Sequence, residues 1–216
     1  MKPIKKIISL LLLIPTFGIL SNAAGVLPFT YDTKFNVYFY LSREAYGKDR
    51  GTFADFGGSF ENITDSYEEV AAREFAEESM EIFKSDNDKT LNAQNTFNLI
   101  KKEKPPKSLI KFGNWGYTTF FIKVKNLKSY FANFNKKRKK LLNKLKKNPT
   151  KKLAASIEKD VLISVSKNDL INAIKSNQPT IRVRYTSDRL QVPPDSIVTI
   201  RKSTFKSLKL AYENGT

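Results

Sequence analysis

The chain has 216 residues, 40% of them apolar, and its 38 lysines and arginines against 21 acids give a formal net charge of +17. That length and apolar fraction suit one domain with a packed core. There is no cysteine and no histidine, which excludes a disulfide framework, a zinc site built on those residues, and any triad with a histidine base or a cysteine nucleophile. Carboxylates, lysines and hydroxyls are left to carry any chemistry. Carboxylates favour hard ions such as magnesium, manganese or calcium.

Lys2, Lys5 and Lys6 form a basic start to an apolar stretch over 7–20. Ser21-Asn22-Ala23 closes it with small residues at the two positions a signal peptidase reads. The expectation is a signal peptide over 1–23 and an exported product, periplasmic or secreted. An uncleaved membrane anchor is the alternative, although the apolar stretch is short for a span.

The sequence "FNVYFYL" at 35–41 reads as a strand, "REAYGKDRG" as a turn, and "TFADF" as a second strand closed by Gly57-Gly58. Ser66 and Glu69 make a capping box, so a helix begins at Ser66 and is expected to run to about Phe83. "LNAQNTFNLIKK" reads as a short helix and "KEKPPKS" as a loop. "WGYTTFFIKVK" at 115–125 alternates like a strand. The run "NKKRKKLLNKLKKNPTKK" follows, then a strand at 160–166, "DVLISVS", and a short helix, "NDLINAI". "TIRVRY" alternates again. "STFKSLKLAYEN" reads as a closing helix capped by Ser203.

The helix after Ser66 is unusual for so basic a chain. On a 3.6-residue period Ala71, Phe75 and Ile82 share a core side, with Ala72 and Ser79 beside them. Glu74, Glu77, Glu78 and Glu81 gather on the adjoining side, and like charges three and four residues apart cost about 0.2–0.5 kcal/mol per pair. A bound divalent cation would remove that penalty. Arg73 and Glu77 stand four apart, the spacing of a helical salt bridge.

These residues resemble the Nudix hydrolase family, whose box reads G-x5-E-x7-R-E-U-x-E-E-x-G-U with U a bulky apolar residue. "REFAEE", from Arg73 to Glu78, matches the core of that box. Asp65 stands where the family has Glu. Gly58 lies one residue too far upstream, so the loop carries an insertion. Met80 replaces the last Gly, and Glu81 the last apolar residue. The loss of that Gly suggests a helix that runs on by a turn. The likeness implies an α/β fold, a Nudix-type α/β/α sandwich around a mixed β-sheet, spanning 24–216 with a basic helical insertion at about 127–153.

The resemblance further implies a pyrophosphohydrolase. Water would attack one phosphorus of a nucleoside diphosphate linked to another moiety, with Mg2+ or Mn2+ as cofactor. Glu74, Glu77 and Glu78, with the backbone oxygen of Gly57, would hold the metal. Arg73 and Asp65 would orient the cluster. Glu158 is the first candidate for a distal carboxylate that takes the proton and Asp160 the second, against a plain surface acid beside Lys159. Trp115 and Tyr117 would stack on a base or fill the core. Arg43 would contact phosphate or sit in a solvated turn.

Between residues 128 and 152 there are eleven lysines or arginines and no acid. Tyr130, Phe134, Leu141 and Leu145 follow helical spacing, which predicts a basic amphipathic helix between two core strands. It would draw a polyanionic substrate, bind RNA, bind an anionic membrane surface, or simply pack its stripe on the domain. The alternative function is therefore a non-catalytic member of the same fold that binds nucleotide, RNA or membrane through this helix.

Overall fold

The computed structural model describes residues 22–62, 64–112, 115–126 and 128–215. The apolar stretch of the expected signal peptide lies outside the described residues. Among the described residues no helix is long and apolar enough to cross a membrane.

The strands are β1 (Ala23–Tyr31), β2 (Val37–Glu44), β3 (Phe53–Ala54), β4 (Phe56–Ser59), β5 (Lys107–Phe112), β6 (Trp115–Lys123), β7 (Lys159–Ser166), β8 (Thr180–Arg182), β9 (Tyr185–Thr186) and β10 (Ile197–Thr199). The helices are α1 (Tyr67–Glu78), α2 (Ala93–Glu103), α3 (Ser129–Lys147), α4 (Lys151–Ala155), α5 (Lys167–Lys175) and α6 (Lys202–Glu213). The main sheet runs β5-β6-β1-β2-β7-β9, with β3 on β2 and β4 on β1. Among the described strands of this sheet β1 and β6 pair parallel and the other neighbours antiparallel, so the sheet is mixed.

Alternation along the strands builds two cores. Val26, Phe120, Ile122 and Leu162 face one side, where Phe75 of α1, Ile100 of α2 and Tyr130 and Phe134 of α3 pack. Leu27, Phe121, Val161, Ile163 and Val165 face the other, against Leu170 of α5 and Phe205 and Leu208 of α6. Helices on both faces of a mixed sheet make an α/β/α sandwich.

Central strand β1 is absent from the sequence reading, and Gly25 and Pro28 are the reason, since both residues normally argue against a strand interior. Pro28 falls in the gap where β1 leaves β4, after Val26, and meets β2, from Phe29. The strand begins at Ala23. Just ahead of it the Asn22 carbonyl accepts the Phe60 N–H at 3.0 Å, and its side chain accepts the Gly116 N–H at 3.0 Å. Strand β5 is likewise absent from the sequence reading: it starts immediately after Pro105-Pro106, and its first two residues, Lys107 and Ser108, fall in the segment read as loop.

The acidic helix α1 starts as expected. Ser66 caps Glu69, and Glu69 returns the bond to the Ser66 N–H at 2.8 Å. It stops sooner than expected. Its last helical residue is Glu78, and Met80 and Glu81 take left-handed backbone at φ 55° and 54°. Met80 N–H bonds the Glu77 carbonyl and Glu81 N–H the Ala76 carbonyl, the two bonds of a Schellman ending. Met80 thus adopts the conformation glycine would, at a cost of about 1–2 kcal/mol. Burial of its side chain offsets that cost. Lys137 of α3 donates to the Met80 and Glu81 carbonyls at 2.8 and 3.1 Å, a cation at the negative end of α1.

The basic segment forms α3 between β6 and β7, as predicted. Its apolar stripe is core: Tyr130 and Phe134 are buried under the sheet, and Leu145 packs with Ala154 and Ile157. The stripe is therefore covered by the domain rather than offered to a lipid surface. The closing helix begins at Lys202 with Arg201, not Ser203, at its N-cap. Ser203 instead accepts a bond from the Arg201 side chain.

Candidate active site

Strand β4 and helix α1 meet residue by residue. Glu78 Oε2 accepts the Gly57 N–H at 2.7 Å. A Cβ on Gly58 would lie 2.5 Å from the Glu74 carboxyl carbon, so glycine gives that carboxylate its seat. Arg73 donates to the Ser59 carbonyl at 3.1 Å and to Glu74 Oε1 at 2.7 Å. The loop ahead of α1 is tied back by Asp65. There Asp65 Oδ2 accepts the Glu61 and Asn62 N–H groups at 3.0 and 2.9 Å.

Behind the acidic helix lies a buried ionic chain that the sequence reading did not anticipate. Lys159 of β7 is 1% exposed, with Nζ 2.5 Å from Glu44 Oε1 and 3.2 Å from Glu78 Oε1. Burial alone would depress this ammonium; Glu78 and Glu44 outweigh it and hold Lys159 above its ordinary value. Arg201 bonds the same Glu44 oxygen at 2.9 Å and stands 3.9 Å from Asp55. Asp55 also accepts the hydroxyls of Tyr117 and Thr204, each at 2.7 Å. One sequence signal pointed to Lys159: it shares strand parity with Val161, Ile163 and Val165, all buried.

Burial pushes Glu78 well above the ordinary carboxylate value against the pull of Lys159, with Glu44, Glu74 and Glu158 adding to the rise. Burial also raises Glu74, opposed by Arg73 and reinforced by Glu77. Glu158, just before β7, is pushed up to about 7 by burial; Lys159 opposes this, and Glu74, Glu44 and Glu77 add to it. Five carboxylates from α1, β2 and the start of β7 therefore repel one another across one region.

The other expected site residues divide differently. Tyr117 is a core residue. Its hydroxyl fills the slot between Gly25 and Gly57, where a Cβ on either glycine would come within 2.4 Å of it, and no ring face is left for a base. Trp115 is half-buried and packs against the cluster of Ala23, Ile110 and Tyr117. Arg43 is committed to Asp160 through two bonds of 2.7 and 3.0 Å and to Gln191 at 2.5 Å. Neither the arginine as a phosphate contact nor Asp160 as an open carboxylate is free of this pair. Gly57 serves the Tyr117 slot and the Glu78 bond.

The donors suit a hard divalent ion: all are carboxylate or carbonyl oxygens, and their mutual repulsion is the cost such an ion relieves. Among the described residues no three carboxylates are gathered as a ready-made cage; Glu74 is turned to Arg73 and Glu78 to Lys159. Each oxygen of Glu78 keeps a lone pair beyond its one partner.

Neither a protein-family model nor a curated protein matches the sequence. Among solved structures, the chain aligns with the Nudix hydrolase RenU of M. smegmatis at 11% identity, over 92% of this chain and 88% of that one, with a TM-score of 0.40. A C. elegans Ap4A hydrolase aligns at 15% identity over 49% of this chain and 67% of that one, TM-score 0.31. A MutT/nudix family protein of Enterococcus faecalis aligns at 12% identity over 51% and 39%, TM-score 0.33.

Proposed function

We propose that this chain is a Nudix-type, divalent-metal-dependent hydrolase acting on the pyrophosphate bond of a nucleoside diphosphate derivative. The observation that carries the reading is the convergence of Glu74, Glu77 and Glu78 on α1 with Glu158 from a distant segment, each of Glu74, Glu78 and Glu158 held above its ordinary value. Glu74, Glu77 and Glu78 would hold Mg2+ or Mn2+, with the Gly57 carbonyl beside them. Such an ion, when bound, neutralises the phosphates and makes a neighbouring water more acidic.

The protein groups supply the rest. Glu158, titrating near 7, has the affinity of a general base at neutral pH and would take the proton from the attacking water. Arg73 holds the Glu74 carboxylate, and the Gly57 N–H and Lys159 hold Glu78, so each of these two side chains has a defined position from which an ion would draw them together. The Lys159–Glu44–Arg201 chain keeps the charge behind α1 balanced.

Calorimetric titration with Mn2+ tests the ion site. Wild type should bind, and Glu74→Gln/Glu77→Gln should lose at least tenfold in affinity. A nucleotide panel in water labelled with heavy oxygen tests the reaction and identifies the phosphorus attacked. Wild-type protein that binds no divalent ion and cleaves none of the panel removes the proposal.

A further inference from the structure

The geometry points to a second wall of this site, a polyphosphate-binding face on α3 formed by Lys140 and Lys144 opposite Arg73. It takes a nucleotide carrying three or more phosphates in line. The inference rests on the hydrolase reading above and names its substrate class.

The rotation of α3 is fixed by its buried stripe, Tyr130, Phe134 and Leu145, and by Lys137 latched to the end of α1. On a 3.6-residue period Lys140 and Lys144 fall beside that stripe, on the edge turned toward α1. There the two helices enclose a groove of about 520 Å3 lined by Arg73, Glu77, Glu81, Lys137, Lys140 and Lys144. The α1 wall carries Glu77 and Glu81 with Arg73, the floor is apolar with Ala76, Met80 and Leu141, and the charged groups of the α3 wall are lysines. Opposite charges facing each other would ordinarily pair. Yet the ammonium groups of Lys140 and Lys144 make no ion pair or hydrogen bond among the described residues. Ser156, two residues before Glu158, also lines the groove, and of the three α1 glutamates assigned to the ion Glu77 is the one that lines it.

An extended phosphate chain satisfies both walls. Its reacting end meets the glutamates through the divalent ion, and its further phosphates meet cations spaced one helical turn apart, about 6 Å along the axis. A diphosphate held at the glutamates leaves the basic wall without a partner. Charge-assisted bonds to phosphate from unpaired lysines are the stronger kind.

The test uses the full chain. Inorganic tripolyphosphate is titrated by calorimetry in EDTA at low salt into wild type, Lys140→Ala/Lys144→Ala, and Lys139→Ala/Lys146→Ala. The last pair removes the same charge from the opposite side of α3. Binding should weaken about tenfold in the first variant and less than twofold in the second, with the difference shrinking at high salt. Equal weakening in both, or none in either, overturns the inference. With magnesium present, KM for a nucleoside 5′-triphosphate should rise in the groove variant while KM for a nucleoside diphosphate sugar holds. An equal change for both substrates also overturns it. If wild type hydrolyses nothing, the hydrolase reading fails, and the calorimetry still decides the basic wall.

Discussion

Glu158 makes the acidity of this site measurable without any substrate. Its carboxyl is held at about 7 against an ordinary 4.5, chiefly by burial and secondarily through Glu74, Glu44 and Glu77, with Lys159 opposing. At about 1.4 kcal/mol per pH unit, that difference corresponds to about 3 kcal/mol, reduced to about 2–3 by the partial exposure of the side chain. The folded state binds the proton more tightly than the unfolded one. The contribution is therefore complete below the ordinary value and is lost as pH rises through about 7. Glu74 and Glu78 are raised too and act in the same direction.

Urea denaturation in EDTA at pH 5.5 and pH 8.5 reads this out. Wild type should lose stability across the interval. Glu158→Gln, uncharged at both pH values, should be closer to flat and more stable than wild type at pH 8.5 by about 2–3 kcal/mol, or roughly 5–10 °C in Tm. Saturating Mn2+ should restore wild type at pH 8.5 more than at pH 5.5 by mass action, and Glu158→Gln less. A stability difference between wild type and variant that is the same at both pH values would refute the reasoning.

Lys159→Met should destabilise by about 3–5 kcal/mol near pH 8, because it strips the cation from two carboxylates in a nearly closed interior. The loss should shrink as pH falls, because burial raises Glu78 above its ordinary value and its protonation removes the charge left without a cation; chemical denaturation at pH 8 and at pH 5.5 checks it. The two adjacent glycines should respond differently. Gly57→Ala places a methyl 2.6 Å from the Gly25 Cα and 2.7 Å from the Ala24 carbonyl, fixed backbone that cannot yield, and should cost about 1–3 kcal/mol in thermal or urea unfolding. For Gly58→Ala the three atoms nearest the new methyl all belong to the Glu74 carboxyl, the far end of a side chain. This variant should fold with under about 1 kcal/mol of loss, yet weaken Mn2+ binding in calorimetry by displacing a ligand.

Local patterns were legible in the sequence. The Ser66–Glu69 box, the Ala71, Ala72 and Phe75 part of the core side of α1 and the amphipathic α3 each depend on residues within a turn or two of one another, and these appear as read, whereas Ile82 lies beyond the end of the helix. The same holds for β2, β6 and β7. The strands that were missed, β1 and β5, carry or follow Pro and Gly, whose local preferences oppose a strand. Their neighbours in the sheet override them.

The early stop of α1 belongs with these. Met80 is not a helix terminator by propensity; burial of its side chain and the Lys137 latch from α3, 57 residues away, hold the left-handed turn. The alternatives for Arg43 and Tyr117 stay open in the sequence because their partners, Asp160 and Asp55, lie 117 and 62 residues off. The sequence alone determined that a row of glutamates would share one side of a capped helix, since that is a matter of spacing. Only the tertiary structure decided which of them is buried, which cation from β7 stands behind it, and which lysines of α3 face it, since those depend on where distant segments pack.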